Sequence, residues 1–359
     1  MENKRGKKKL IIVAIVIASI LLAIPFILQP IATVIVYESI FNTRYETITW
    51  LAFSTEDFDG LKAERSDFES SGVDIAGYKY SKEGQDIKGV MILAHGLGGG
   101  GHNTYMPFID WFASNGYLVF SYDAIGTDNS GGKSVKGLPQ GVITLDNAIN
   151  HVKSLDEYKN LPIVLFGHSW GGYSVGNVLN FHPEIKSVVI FAGFNESSDM
   201  IEHQSSQYVG GLTKVLLPYV TLYEQVKFGR KNVSISAISG LENTTAKAMI
   251  VHSKDDTTVP TKYGYDKWYE RFSDNDRFQF VLYENKGHNT LFYSQSAIEY
   301  RNQINEEYRL FVEANGGEYT AQLQEEFMTA NLDKGKLCEP DSQLMTAILA
   351  MFDQCCADC

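Results

Sequence analysis

Cysteine and positive charge are both scarce in this chain. Its four cysteines are Cys338, Cys355, Cys356 and Cys359, so a disulfide framework is excluded for everything before residue 338. The closing Cys-Cys-x-x-Cys has no histidine nearby, which favours a disulfide or thiols on a small appendage over a metal site. The 31 Lys and Arg residues are outnumbered by 43 Asp and Glu, giving a net charge of -12. Phosphate binding needs clustered basic residues, so we expect no nucleic-acid partner.

Charge is also missing from Leu10 to Tyr37, directly after a cluster of lysine and arginine residues. A helix of about 20 such residues crosses the hydrocarbon layer of a bilayer, and the preceding positive charge favours a cytoplasmic N-terminus. We therefore predict that residues 1–37 form a basic tip and a single transmembrane anchor, with the remaining chain extracytoplasmic. The alternative is a cleaved signal peptide and a secreted protein, although no clear Ala-x-Ala cleavage site follows.

The rest of the chain alternates short apolar runs with longer amphipathic ones, after a connector over 38–60. Strands that are apolar along their whole length and alternate with helices predict a mostly parallel sheet between helical layers. The predicted strands are 90–94, 117–122, 162–166, 187–192, 247–252 and 278–283. We predict one α/β domain over 61–295, a cap without strands inserted at 194–245, and a helical C-terminal extension with a cysteine-rich tail over 296–359.

A nucleophile motif follows the strand predicted at 162–166. Gly167-His168-Ser169-Trp170-Gly171 fits the pattern Gly-x-Ser-x-Gly, in which a sharp strand-to-helix turn exposes the serine hydroxyl. Small neighbours are needed because the turn is tight and its backbone is strained. The sequence therefore predicts Ser169 as a nucleophile, with Gly167 and Gly171 supporting the turn.

A serine nucleophile needs a base, and an acid to orient that base. His288 is the one histidine after His252, and it follows the last predicted strand. Asp255 and Asp256 both follow the strand at 247–252, and Asp256 begins the stretch Asp-Thr-Thr-Val-Pro. We predict His288 as the base and favour Asp256 over Asp255 as the acid.

The loop after the first predicted strand reads His95-Gly96-Leu97-Gly98-Gly99. Its glycines let the backbone approach a substrate, so that the Leu97 amide can donate to a developing oxyanion. The Trp170 amide, next to the nucleophile, is the predicted second donor. His95, Gly96 and Gly98 are expected to shape this loop rather than transfer protons.

These motifs resemble the α/β-hydrolase family, in particular its monoacylglycerol-lipase-like and small-esterase branch, with likeness to the dienelactone-hydrolase and prolyl-peptidase branches. The resemblance covers about residues 75–290. It implies a Ser-His-Asp triad, an eight-stranded sheet and a cap that selects the substrate.

The predicted activity is cleavage of lipid-like or small acyl esters through an acyl-enzyme, with no metal and no cofactor. Three alternatives stay open: a peptidase or amidase of the same fold, a non-catalytic binding module on the cell surface, and a haloperoxidase-like or acyltransferase activity. The sequence does not predict the oligomeric state.

Overall fold

An eight-stranded sheet forms the centre of the computed structural model, which describes residues 2–357; the side-chain exposure of 2–5, 18, 20–26 and 209 is outside the description. The strands are β1 (Leu61–Arg65), β2 (Phe68–Ser70), β3 (Val73–Ile75), β4 (Gly77–Lys82), β5 (Gly89–Ala94), β6 (Tyr117–Tyr122), β7 (Ile163–His168), β8 (Ser187–Phe191), β9 (Lys247–Ser253) and β10 (Phe278–Tyr283). The helices are α1 (Glu2–Phe41), α2 (Met106–Ser114), α3 (Pro139–Ser154), α4 (Trp170–Val178), α5 (Ser197–Val209), α6 (Thr213–Phe228), α7 (Arg230–Val233), α8 (Ala237–Glu242), α9 (Tyr265–Phe272), α10 (Gln295–Ala314), α11 (Ala321–Asn331), α12 (Lys334–Leu337) and α13 (Ser342–Ala357).

The sheet has the strand order β1-β4-β6-β5-β7-β8-β9-β10. The β1–β4 and β4–β6 pairs are antiparallel, and all the other pairs are parallel. The six predicted strands are all present, which confirms the predicted α/β architecture. The antiparallel strands β1 and β4 were not predicted. In β1 only Leu61 is buried, so an edge strand with charged outward side chains gives little apolar signal.

Each face of the sheet is covered by its own apolar cluster. In β7, Leu165 belongs to one cluster and Phe166 to the other, as the alternation of side chains along a strand requires. The first face packs against α3, α4 and α8. The second packs against α2 and against the C-terminal helices, from which Ile304 and Phe352 are buried. Residues from the C-terminal segment therefore help to build the core of the sheet domain.

Four helices, α5 to α8, lie between β8 and β9, where the cap was predicted. The last turns of α1 pack against α6, and they bury Tyr37 and Phe41. The Tyr37 hydroxyl donates a 2.8 Å hydrogen bond to Glu224 of α6, which is almost fully buried. The end of the N-terminal helix is thus attached to the cap by a buried polar contact.

The predicted transmembrane anchor spans residues 1–37, of which 2–37 fall on α1 and Met1 lies outside the described residues. No helix in the described part of the chain is both long enough and apolar enough to cross a membrane. The transmembrane prediction is therefore not supported by the structure.

Candidate active site

The nucleophile motif forms the sharp turn between β7 and α4. Ser169 has a positive φ of 56° with ψ of -115°, a conformation that L-residues rarely adopt. A Cβ atom on Gly171 would lie 1.9 Å from the Ala94 carbonyl oxygen, and one on Gly167 would lie 2.4 Å from the Gly171 oxygen. Both positions must be glycine because α4 approaches β5 and the turn so closely.

The predicted base and acid meet Ser169 at the carboxyl edge of the sheet. His288 Nε2 lies 2.8 Å from Ser169 Oγ, and His288 Nδ1 lies 2.7 Å from Asp256 Oδ2. Burial by itself would raise the pKa of Asp256, but hydrogen bonds from His252 and His288 outweigh burial and lower that pKa. Asp256 is therefore an ionised carboxylate that fixes the proton of His288 on Nδ1 and leaves Nε2 facing the serine.

The neighbouring Asp255 has a different position. Its Oδ1 accepts hydrogen bonds from the Gly287 amide at 2.9 Å and from the Ser253 hydroxyl. Asp255 is exposed and holds the turn that carries His288, whereas Asp256 contacts the imidazole itself. The structure thus places Asp256, not Asp255, beside the base.

The loop that carries Leu97 lies next to the nucleophile. A Cβ atom on Gly96 would be 3.5 Å from Ser169 Cβ. His95 fixes the start of the loop: its Nε2 accepts from the Ala124 amide at 2.9 Å, and its Nδ1 donates to the Gly96 oxygen at 2.7 Å. Within residues 2–357, neither the Leu97 amide nor the Trp170 amide donates to a protein acceptor. Both predicted donors are therefore available to an oxyanion.

A series of hydrogen bonds that was not predicted from the sequence connects Gly96 to His288. The Gly96 amide donates to the Tyr105 hydroxyl at 3.1 Å, and the Tyr105 hydroxyl lies 2.8 Å from His168 Nδ1. His168 Nε2 donates to the His288 carbonyl oxygen at 3.0 Å, so Nδ1 of the neutral ring accepts from Tyr105. Burial lowers the pKa of His168 to about 3, which keeps this ring neutral. No local pattern pointed to Tyr105, because its partner His168 lies 63 residues away along the chain.

Some apolar side chains of the cap helices are exposed. Tyr208, Leu212 and Val215 are exposed by half or more of their surface. No group of three or more His, Cys, Asp or Glu side chains is arranged to hold a metal ion among the described residues. Cys338 is buried in hydrogen-bonding contact with Tyr293, and Cys359 lies outside the described residues.

Known proteins match the middle of the chain. A family profile described as "Serine aminopeptidase, S33" matches residues 85–239. Caffeoylshikimate esterase of Arabidopsis thaliana is 31% identical over 115 residues, which is 32% of this chain and 35% of that protein. The quorum-quenching protein AidA of Acinetobacter baumannii is 29% identical over 114 residues, covering 31% of this chain and 36% of that protein. The matches thus span about a third of the length of these curated relatives.

Solved structures share the fold over a greater length. The Pyrococcus furiosus esterase Pf2001 superposes with a TM-score of 0.53 over 76% of this chain and 98% of the esterase, at 15% sequence identity. Identity this low supports the fold alone. The sheet order, the turn that presents Ser169 and the matched profile nevertheless agree with one another. On these grounds the chain has the α/β-hydrolase fold.

Proposed function

We propose that this protein is a serine hydrolase that cleaves carboxylic esters through an acyl-enzyme on Ser169. The single observation that carries the proposal is the position of His288, hydrogen-bonded to Ser169 on one side and to Asp256 on the other. A base within reach of a nucleophile, and itself oriented by a carboxylate, is the arrangement that activates a serine.

The reaction follows from these contacts. His288 Nε2 takes the Ser169 proton as Oγ attacks the ester carbonyl carbon, and the Leu97 and Trp170 amides donate to the oxyanion that forms. His288 then protonates the leaving alcohol, and the ester C–O bond breaks. Water attacks the acyl-enzyme with the same base, which returns Ser169 and releases the acid. The Asp256 carboxylate stabilises the imidazolium in both halves of the reaction.

An ester is preferred to an amide because the curated relative and the superposed structure are named as esterases. The family profile, in contrast, carries the description of an aminopeptidase, so amide cleavage is the second candidate. A binding module without catalysis would not need the contacts that His288 makes. The exposed cap side chains Tyr208, Leu212 and Val215 give no support for a particular acyl-chain length.

Membrane attachment through residues 1–37, with the catalytic domain extracytoplasmic, belongs to the proposal as well. The support is the charge-free run after the basic cluster, together with exposed apolar side chains on α1 such as Leu10 and Ile12. Alkaline carbonate extraction of membranes tests this attachment. Recovery of the full-length chain in the soluble fraction contradicts it, and recovery of a shortened secreted chain favours signal-peptide cleavage.

Hydrolysis of p-nitrophenyl esters from C2 to C16 by the full-length chain tests the activity, beside matched aryl amides. We expect ester turnover that falls by about 10⁴-fold or more in Ser169→Ala, because the nucleophile is lost while binding groups remain. Ser174→Ala, one turn along α4, is the matched control and should keep its rate. Amide turnover that exceeds ester turnover favours the peptidase candidate, and activity retained by Ser169→Ala contradicts both.

A further inference from the structure

The loop that presents Leu97 is contacted by a segment of chain that precedes the family-matched region. Residues 42–47 follow α1 and lie alongside the stretch 124–135, with Tyr45 forming an isolated parallel bridge to Thr127. The Tyr45 amide donates to the Gly126 oxygen at 3.0 Å. The Arg44 guanidinium donates to three carbonyl oxygens of the same stretch, those of Asp128, Ser130 and Gly132. The segment is therefore fixed in place by backbone contacts that depend little on neighbouring side chains.

Three residues then connect this segment to the oxyanion loop. The Asp128 carboxylate accepts from the Thr47 amide at 2.6 Å, the Thr47 hydroxyl at 2.5 Å and the Gly101 amide at 2.9 Å. The Gly101 amide also lies 3.1 Å from Thr47 Oγ1. We call Thr47, Asp128 and Gly101 the connector clamp. Each member contacts the other two, so removing the Thr47 hydroxyl or the Asp128 carboxylate takes away part of the attachment between the loop and this segment.

Two features show that the clamp is tightly constrained. Asp128 has a positive φ of 32°, a strained conformation for a residue other than glycine. A Cβ atom on Gly100 would lie 2.2 Å from Thr47 Oγ1 and 2.4 Å from Thr47 Cα, so the loop and the connector are in direct contact there. Strain of this kind persists only where the surrounding contacts hold it, and it concentrates at functional sites.

The clamp holds Gly100 and Gly101, between the two ends of the loop. His95 fixes the start of the loop, and His102 beyond Gly101 is buried against Asp123. Between these ends, Gly98 and Gly99 are exposed, and Leu97 packs in the apolar cluster that also contains Tyr45. The direction of the Leu97 amide therefore depends on where Gly100 and Gly101 are held.

We propose that Thr47 and Asp128 are positioning residues that set the direction of the Leu97 amide. The segment after α1 would then contribute to the geometry of the active site. The inference rests on the proposed function, in which the Leu97 amide donates a hydrogen bond to the oxyanion. A displaced donor weakens binding of the oxyanion more than binding of the ground state, so the loss is expected in kcat.

The experiment uses the full-length chain with Thr47→Val, Thr47→Ser, Asp128→Asn and the control Thr49→Val. Thr49 lies on the same connector, but its hydroxyl bonds Glu325 on the other side. Thr47→Val should lower kcat for p-nitrophenyl butyrate about 10- to 100-fold with KM within about two-fold of wild type. Thr47→Ser, which keeps the hydroxyl, should restore the rate. Asp128→Asn tolerates the positive φ but loses the charge, so it should be at least as slow as Thr47→Val.

Amide hydrogen exchange of the peptide covering 95–105 gives a readout that needs no turnover. Exchange should be faster in Thr47→Val than in wild type and unchanged in Thr49→Val. Wild-type kcat and wild-type exchange in folded Thr47→Val would overturn the inference, as would failure of Thr47→Ser to restore the rate. A wild-type chain that cleaves no substrate would instead contradict the proposed function, whatever the exchange result.

Discussion

Asp256 at the carboxyl edge of the sheet and Glu224 on the cap helix α6 are both buried carboxylates, and their surroundings differ. Asp256 accepts from the Thr258 and Val259 amides at 2.9 Å each, in addition to the His288 ring. Among residues 2–357, the hydrogen bonds that Glu224 accepts come from hydroxyl groups, those of Tyr37 and Ser197. Burial raises the pKa of Glu224 to about 7, and these two hydroxyls and Lys227 offset it only in part.

The comparison separates two uses of a buried acid. Because Asp256 has several N–H donors and an imidazole beside it, its carboxylate stays charged through the neutral range and can orient that imidazole. Glu224 on the cap helix α6 accepts from hydroxyl donors, and its carboxylate changes its charge near neutral pH. We therefore expect substitutions of Asp256 to change the rate of ester hydrolysis. Substitutions around Glu224 should change the free energy of unfolding and its dependence on pH.

The largest effect is expected from Asp256→Asn. An amide cannot hold the Nδ1 proton of His288 or stabilise its imidazolium, so kcat should fall by about 10⁴-fold while the fold is kept. Asp255→Asn is the matched control and should lose about ten-fold or less, because its side chain only holds the turn before His288. Steady-state kinetics of both variants decide the matter, and equal losses would contradict the assignment of the acid.

Glu224→Gln should raise the free energy of unfolding by on the order of 3 kcal/mol at pH 8 and change it little at pH 5. The folded-state pKa of Glu224 is raised to about 7 from an ordinary value of 4.5. Its contribution is therefore fully present below about pH 4.5 and is lost as the pH rises through about 7. Glutamine removes that loss, so the variant should be more stable than wild type at pH 8. Urea unfolding at the two pH values measures the difference, with Glu38→Gln, whose side chain bonds the neighbouring Lys227 and Tyr223, as control. A pH-independent difference would refute the expectation.

Tyr37→Phe should have the smallest effect, a loss of stability at both pH 5 and pH 8. Loss of the hydroxyl removes one donor to Glu224 while the ring stays packed, which should cost about 1–2 kcal/mol at pH 8 and less at pH 5, where the carboxyl is neutral. Thermal unfolding of full-length Tyr37→Phe and of the control Tyr223→Phe checks this. A larger loss at pH 5 than at pH 8 would mean that the hydroxyl does not serve the charged carboxylate.

Local signals made the centre of the fold and the residues around Ser169 predictable. The elbow motif is contiguous, and five of the six predicted strands are buried along nearly their whole length, so a short window of sequence contains the information. Polar contacts between distant segments leave no such signal. Tyr105 with His168, Thr47 with Asp128 and Tyr37 with Glu224 each join residues that are far apart in the chain, and each residue taken alone is typical of a loop or helix surface.

Covalent labelling of the full-length protein with a fluorophosphonate, followed by mass spectrometry of its peptides, tests whether Ser169 is the nucleophile. We expect one phosphonylated residue, Ser169. Labelling should be abolished in Ser169→Ala and greatly slowed in His288→Ala, because a serine hydroxyl is a weak nucleophile until a neighbouring base activates it. A folded protein that takes up no label, or takes it up on a different serine, would contradict the assignment of Ser169 as the nucleophile.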